Sequence, residues 1–196
     1  MHFFYAMHFA AEKNQAKEIE HLDEGVKADP TDADVLIAMY RATPPSDEWR
    51  QMAIHHIETA TGFFRDQIRE LDRLHAESRS ESEREWATYR LATMHNQFAW
   101  LVGNTTGDYD AAIRSSHTSL ELRPNAAGYL DTLGRCYFAK GDFENAMKYQ
   151  RQAVELDPHS LQIKRQLDFF EQEWEAAKNN EATKDSSPES GTTDSD

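Results

Sequence analysis

Two stretches of the 196-residue chain restate one another 34 residues apart. Thr106-Gly107-Asp108-Tyr109-Asp110-Ala111-Ala112-Ile113 returns as Lys140-Gly141-Asp142-Phe143-Glu144-Asn145-Ala146-Met147, and Leu120-Glu121-Leu122-Arg123-Pro124 returns as Val154-Glu155-Leu156-Asp157-Pro158. A fixed period held without a gap marks a chain built by stacking copies of one supersecondary unit, and this period is that of a helix–turn–helix solenoid unit. No such unit can bury its apolar stripes alone. The period therefore commits the chain to an array in which each helix pair needs its neighbours. Only 8 glycines and 6 prolines punctuate the sequence, which favours long helices over many short strands.

The clearest copy, residues 127–160, explains itself locally. Asn125 is expected to cap a first helix whose apolar residues Leu130, Leu133, Tyr137 and Phe138 recur at helical spacing, and Gly141 to end it. Asp142 caps a second helix with the stripe Phe143, Ala146, Met147, Ala153, Val154 and Leu156. Pro158 stops that helix, and Ser160 caps the next one. Gly134, Ala146 and Ala153 let the two helices approach closely, and Cys136 fills a slot suited to a small buried hydrophobe.

The same register extends in both directions. A third unit spans residues 82–126, with its repeat proper from Thr93; Trp100 stands in the slot of Gly134 and Gly103 in that of Tyr137, a large-for-small and small-for-large pair expected to conserve volume. Taking Pro30 as the end of a first copy, residues 1–32, sets Tyr5, Ala6 and Phe9 at the positions of Leu133, Gly134 and Tyr137, with Ile19, Leu22 and Val26 on its second helix. Met1 then falls inside the first helix, which suggests the C-terminal part of a longer array. The second unit, residues 33–81, is divergent. Pro44-Pro45 breaks its first helix, Ser46 caps the next, and apolar residues from Trp49 through Leu71 recur with no stop signal, so this helix overruns its repeat toward the charged stretch His75–Glu85. Beyond the clearest copy, residues 161–177 carry Leu161, Ile163, Leu167, Phe170 and Trp174, the pattern of a closing helix, and the acidic residues 178–196 have too little apolar surface to order themselves.

Leu130, Leu133-Gly134, Tyr137, Ala146, Ala153 and Pro158 resemble the tetratricopeptide repeat (TPR) pattern, with departures at Leu130 and Gln150, where the family prefers aromatic residues. The resemblance implies an all-α, right-handed α-solenoid of TPR-type helix–turn–helix repeats with a closing C-terminal helix. It also implies a scaffold for protein binding, because first helices in this family line a concave groove that holds a peptide or partner helix. The family's groove offsets fall on Ile37 and Arg41 in the second unit, Gln97, Leu101 and Asn104 in the third, Asp131, Arg135 and Phe138 in the fourth, and Arg165 and Phe169 in the closing helix. Members that grip a C-terminal carboxylate carry Lys, Arg and Asn where this chain has Gln97, Leu101, Asp131 and Thr132, so that mode is disfavoured. The alternative function is a structural or docking end-piece of a larger protein.

Charge and chemistry narrow the partners. The formal net charge of −14 argues against a nucleic-acid partner and against an anionic membrane surface, and favours a basic or amphipathic protein or peptide. One cysteine leaves no disulfide framework. None of the nine histidines lies in a zinc-binding spacing, and no nucleophile elbow or phosphate-binding glycine loop is present, so neither an enzyme nor a cofactor or metal is expected. With no membrane-spanning run and no basic region ahead of the apolar stretch Phe3–Ala11, the expected compartment is the cytoplasm.

Overall fold

The computed structural model describes the backbone of residues 1–185 and the side chains of residues 1–179. The described residues form nine helices and no strand: α1 (His2–Ala11), α2 (Gln15–Ala28), α3 (Ala33–Arg41), α4 (Asp47–Glu77), α5 (Glu81–Asn104), α6 (Tyr109–Leu122), α7 (Ala127–Lys140), α8 (Phe143–Leu156) and α9 (Leu161–Asp185). The starts follow from local chemistry. Side-chain oxygens of Asn14, Asp32, Ser46, Asp108 and Asp142 each accept from a backbone N–H in the first turn, and Ser80 with Glu83 forms a reciprocal capping box. Ser160 Oγ accepts from the Ile163 N–H at 3.4 Å. Asn125 does not cap α7. Its backbone is left-handed, at φ 66°, and the capping position falls to Ala126, which offers no side-chain acceptor. Gly141 closes α7 in the left-handed conformation, at φ 85°, that a side chain would strain.

Helices α6 and α8 begin and end 34 residues apart, and α2 keeps the same register 128 residues ahead of α8. Each helix touches only the next and, within the odd-numbered set, the next but one. The odd helices α1, α3, α5, α7 and α9 therefore make an inner layer in mutual contact, while α2, α4, α6 and α8 form an outer layer that touches only flanking inner helices. This is an all-α helical-repeat solenoid.

The core is one continuous seam from Ala6 to Cys136, followed by two smaller clusters under α9. Gly134 sets the spacing of α7 on α8: a Cβ there would lie 2.8 Å from Gln150 Oε1 and 3.1 Å from the Ala146 carbonyl. The anticipated exchange of volume between Trp100 and Gly103 does not occur. Cys136 of α7 fills the space beside Gly103, where a Cβ would lie 2.9 Å from its sulfur, and Trp100 reaches toward α3.

The long helices α4 of the second unit and α5 of the third depart from the 14-residue length of α2, α6, α7 and α8. The overrun expected of α4 alone is shared: α4 has 31 residues and α5 has 24, and Ser78, Arg79 and Ser80 form the only break between them. Ile57, Ala60, Phe64 and Leu71 of α4 and Ala87, Leu91 and Phe98 of α5 are buried, so the extension is a packed antiparallel hairpin. At the other end α9 buries Ile163 and Phe170, the latter stacked on Phe138 with ring centroids 4.4 Å apart. It continues through Asp185, eight residues beyond the expected boundary at 177, with Lys178 lying 3.4 Å over the Trp174 ring. Strong helix formers Glu181, Ala182 and Lys184 favour the continuation. The rest of the expected disordered tail, residues 186–196, lies outside the described residues.

Candidate partner-binding groove

The inner layer curves enough for α1 and α9 to line one cavity. About 410 Å³ in volume, it is walled by Phe3, Met7 and Ala10 of α1, Ile37 and Arg41 of α3, Trp100 and Asn104 of α5, and Gln162 and Gln166 of α9, with Glu18 of α2 and Asp34 of α3 adding two acids. Asp34, Arg41, Trp100 and Asn104 are held together by hydrogen bonds. The Trp100 indole N–H donates to Asp34 Oδ1 at 2.9 Å, the Arg41 guanidinium donates to Asn104 Oδ1, and Asn104 Nδ2 donates to the Trp100 carbonyl at 3.0 Å. Helix α3 is thereby tied to α5 on the groove surface.

Next to this cavity, α7 presents Asp131 and Arg135 one turn apart. Asp131 is buried; Gln150 of α8 and Gln166 of α9 both donate to its Oδ1. Burial pushes its carboxyl above the usual aspartate range, and the Gln150 hydrogen bond and the Arg135 charge oppose that shift. Arg135 lies 5.1 Å over the Phe138 ring, with its Nε enclosed and unpartnered. Burial, followed by the charge of Arg41, lowers its proton affinity, yet a guanidinium stays charged under all ordinary conditions.

The ten residues assigned from the repeat offsets therefore divide. Ile37, Arg41 and Asn104 line the cavity, and Arg135 lies beside it. Leu101, at 0% exposure, belongs to the core and presents no surface to a partner. Asp131 is engaged by two glutamines instead of being free for a ligand. Gln97 faces a separate depression with Phe63, Phe64 and Gln67. Phe138 packs among Phe143 of α8 and Phe169 and Phe170 of the closing helix, while Arg165 is exposed and Phe169 is 43% exposed. The offsets, extended to the first unit, give Phe3 and Met7 at the positions of Asp131 and Arg135, so both were within reach of the register. Gln162 and Gln166 had no such signal, because only the curvature of the array brings α9 to α1.

Chemistry elsewhere is sparse. Cys136 is buried, donates to the Ala99 carbonyl at 3.3 Å, and has its thiol pushed up to about 12 by desolvation, so it is a packing residue. Among the described residues no three His, Cys, Asp or Glu side chains gather as a metal site, and no helix is long and apolar enough to cross a membrane.

A solenoid with an occupied core and an open concave face belongs to the class of helical-repeat interaction modules. The family model described as "Tetratricopeptide repeat" matches residues 127–160, which are α7, α8 and their turns, and the chain carries a tetratricopeptide repeat there. Comparison with curated proteins finds no match. The repeat identifies a generic protein–protein interaction fold, one that is generally non-catalytic.

Proposed function

We propose that the chain binds a peptide or helix of a partner protein in the concave groove of the array. The observation that carries this reading is the shared cavity: apolar side chains from α1, α3 and α5 converge with amide and guanidinium side chains on one open volume, the composition of a recognition site. Photocrosslinking tests it. With a benzoylphenylalanine placed singly at Met7, Ala38 or Gln162, partner protein should be captured from these groove positions and not from Thr118 or Gln152 on the outer helices. Capture from the outer positions alone would remove the groove from the account.

A second reading, end-on docking, is favoured by α1, whose Phe4 and Tyr5, with Met1 just ahead of them, leave 75%, 48% and 89% of their surfaces exposed. Such a cluster is the kind of face that another protein covers. Phe4→Asp together with Tyr5→Asp should abolish that association while leaving groove crosslinks intact.

A further inference from the structure

The cavity does not end at its apolar walls. Asp34 lines it and also lines the depression of about 390 Å³ that Gln97 faces, so the two hollows adjoin across one side chain. Their linings differ. The first carries Phe3, Met7, Ile37 and Trp100, whereas the second gathers Asp29, Asp32 and Asp34 from the turn into α3 beside Phe63 of α4, a ring left 42% exposed. Each aspartate is already aimed through one oxygen. Asp29 Oδ1 accepts from the Thr31 N–H and hydroxyl, Asp32 Oδ1 from the Asp34 and Val35 N–H groups, and Asp34 Oδ1 from the Trp100 indole. Their Oδ2 atoms accept nothing from another described residue, and among the described residues none of the three forms an ion pair. Arg90 is the one cation lining the second depression; Arg41 of the first lies two turns, about 10 Å, along α3 from Asp34.

We infer that the groove takes a partner segment that seats apolar side chains in the cavity and carries one Lys or Arg to one side of them, its cation extending past Asp34 toward Asp29, Asp32 and the Phe63 ring. Carboxylates already oriented, each with an oxygen to spare, accept a cation without reorganising, and an open aromatic face adds to its attraction. Three carboxylates stand against one guanidinium in that depression, and the net charge of −14 draws a cation toward it from a distance. An acid at the same place on the segment meets those carboxylates and is rejected. This inference rests on the groove reading above and adds the order of chemistry along the occupant, apolar at the α1 and α9 end and cationic at the α4 end.

The test is selection of a random twelve-residue phage-displayed peptide library on the immobilised full chain, followed by affinity measurement on the enriched peptides. The expected result is a consensus of apolar residues with one Lys or Arg to one side, whose binding falls about tenfold or more in Asp29→Asn/Asp34→Asn, and equally when the peptide cation becomes Gln. Asparagine keeps the acceptors that Thr31 and Trp100 use. The two losses should not add, because they remove one contact from its two sides. Arg90→Gln, which removes the competing cation and leaves every aspartate in place, should tighten the same peptides; it keeps the inference falsifiable if the double variant does not fold. Enriched peptides that crosslink to the groove but show no cation, or that bind the double variant and Arg90→Gln as they bind the native chain, overturn the inference and leave the groove reading standing. Peptides that crosslink only outside the groove overturn both.

Discussion

A methyl group on Gly134 would meet the Ala146 carbonyl, part of a helix backbone that cannot turn aside, as well as the tip of Gln150. Gly134→Ala should therefore force α7 from α8 and cost about 1–3 kcal/mol in urea unfolding, although alanine is the better helix former. Asp131 acts through charge. Its folded-state pKa is raised above 3.8, so the native chain holds the proton more tightly than the unfolded chain, and the contribution of Asp131 to stability, full below that value, is lost as pH rises through the raised folded value. Asp131→Asn keeps an acceptor for Gln150 and Gln166 without the buried charge. It should stabilise the chain at pH 7, with the gain shrinking as urea titrations are repeated toward about pH 4. Residues whose setting is local were legible in the sequence: Asp142 and Asp108 cap because the following backbone N–H groups are within their own turn, and Cys136 is buried because its helix face is. Asp131 was not legible in this way. Its burial needs glutamines from α8 and α9, 19 and 35 residues away.

Helices obey the same division. The 34-residue register set α6 and α8, and offsets from Pro30 set α2, because caps and stops recur with the period. The hairpin of α4 and α5 escaped it, since its apolar positions signal helix without saying where a helix should turn, and three residues at Ser78–Ser80 suffice. The extent of α9 escaped for the opposite reason: its last turns bury little, and propensity with the Lys178–Trp174 contact carries them. Phe170 is the largest fully buried side chain that joins α9 to the array, enclosed against Phe138 and near Met147. Phe170→Ala should cost about 3–5 kcal/mol and release α9 first, seen as a red shift of Trp174 fluorescence at denaturant concentrations that leave Trp49 buried.

For the whole molecule, contacts limited to near neighbours mean that stability is passed along the chain from unit to unit. Amide hydrogen exchange should accordingly be graded, slowest in α5 and α7, where the continuous core is covered on both sides, and faster toward α1 and α9. Uniform protection across all nine described helices would contradict a nearest-neighbour array. The interaction class follows from the period and from the match over residues 127–160, both of which the sequence carries. The shape of the groove does not, because it depends on small rotations added over successive helix pairs.

That α1 and α9 wall one cavity gives the number of units a meaning beyond stability. Each helix pair turns the inner layer by a further increment, so Phe3 and Met7 face Gln162 and Gln166 only at one count. A duplicated unit spliced between α6 and α7 would preserve every local contact and still carry α9 past α1, parting the two walls. In such an array, gaining or losing a copy is a change of aperture, and the genetic event most easily tolerated by the fold is the one that most directly reshapes its inner face.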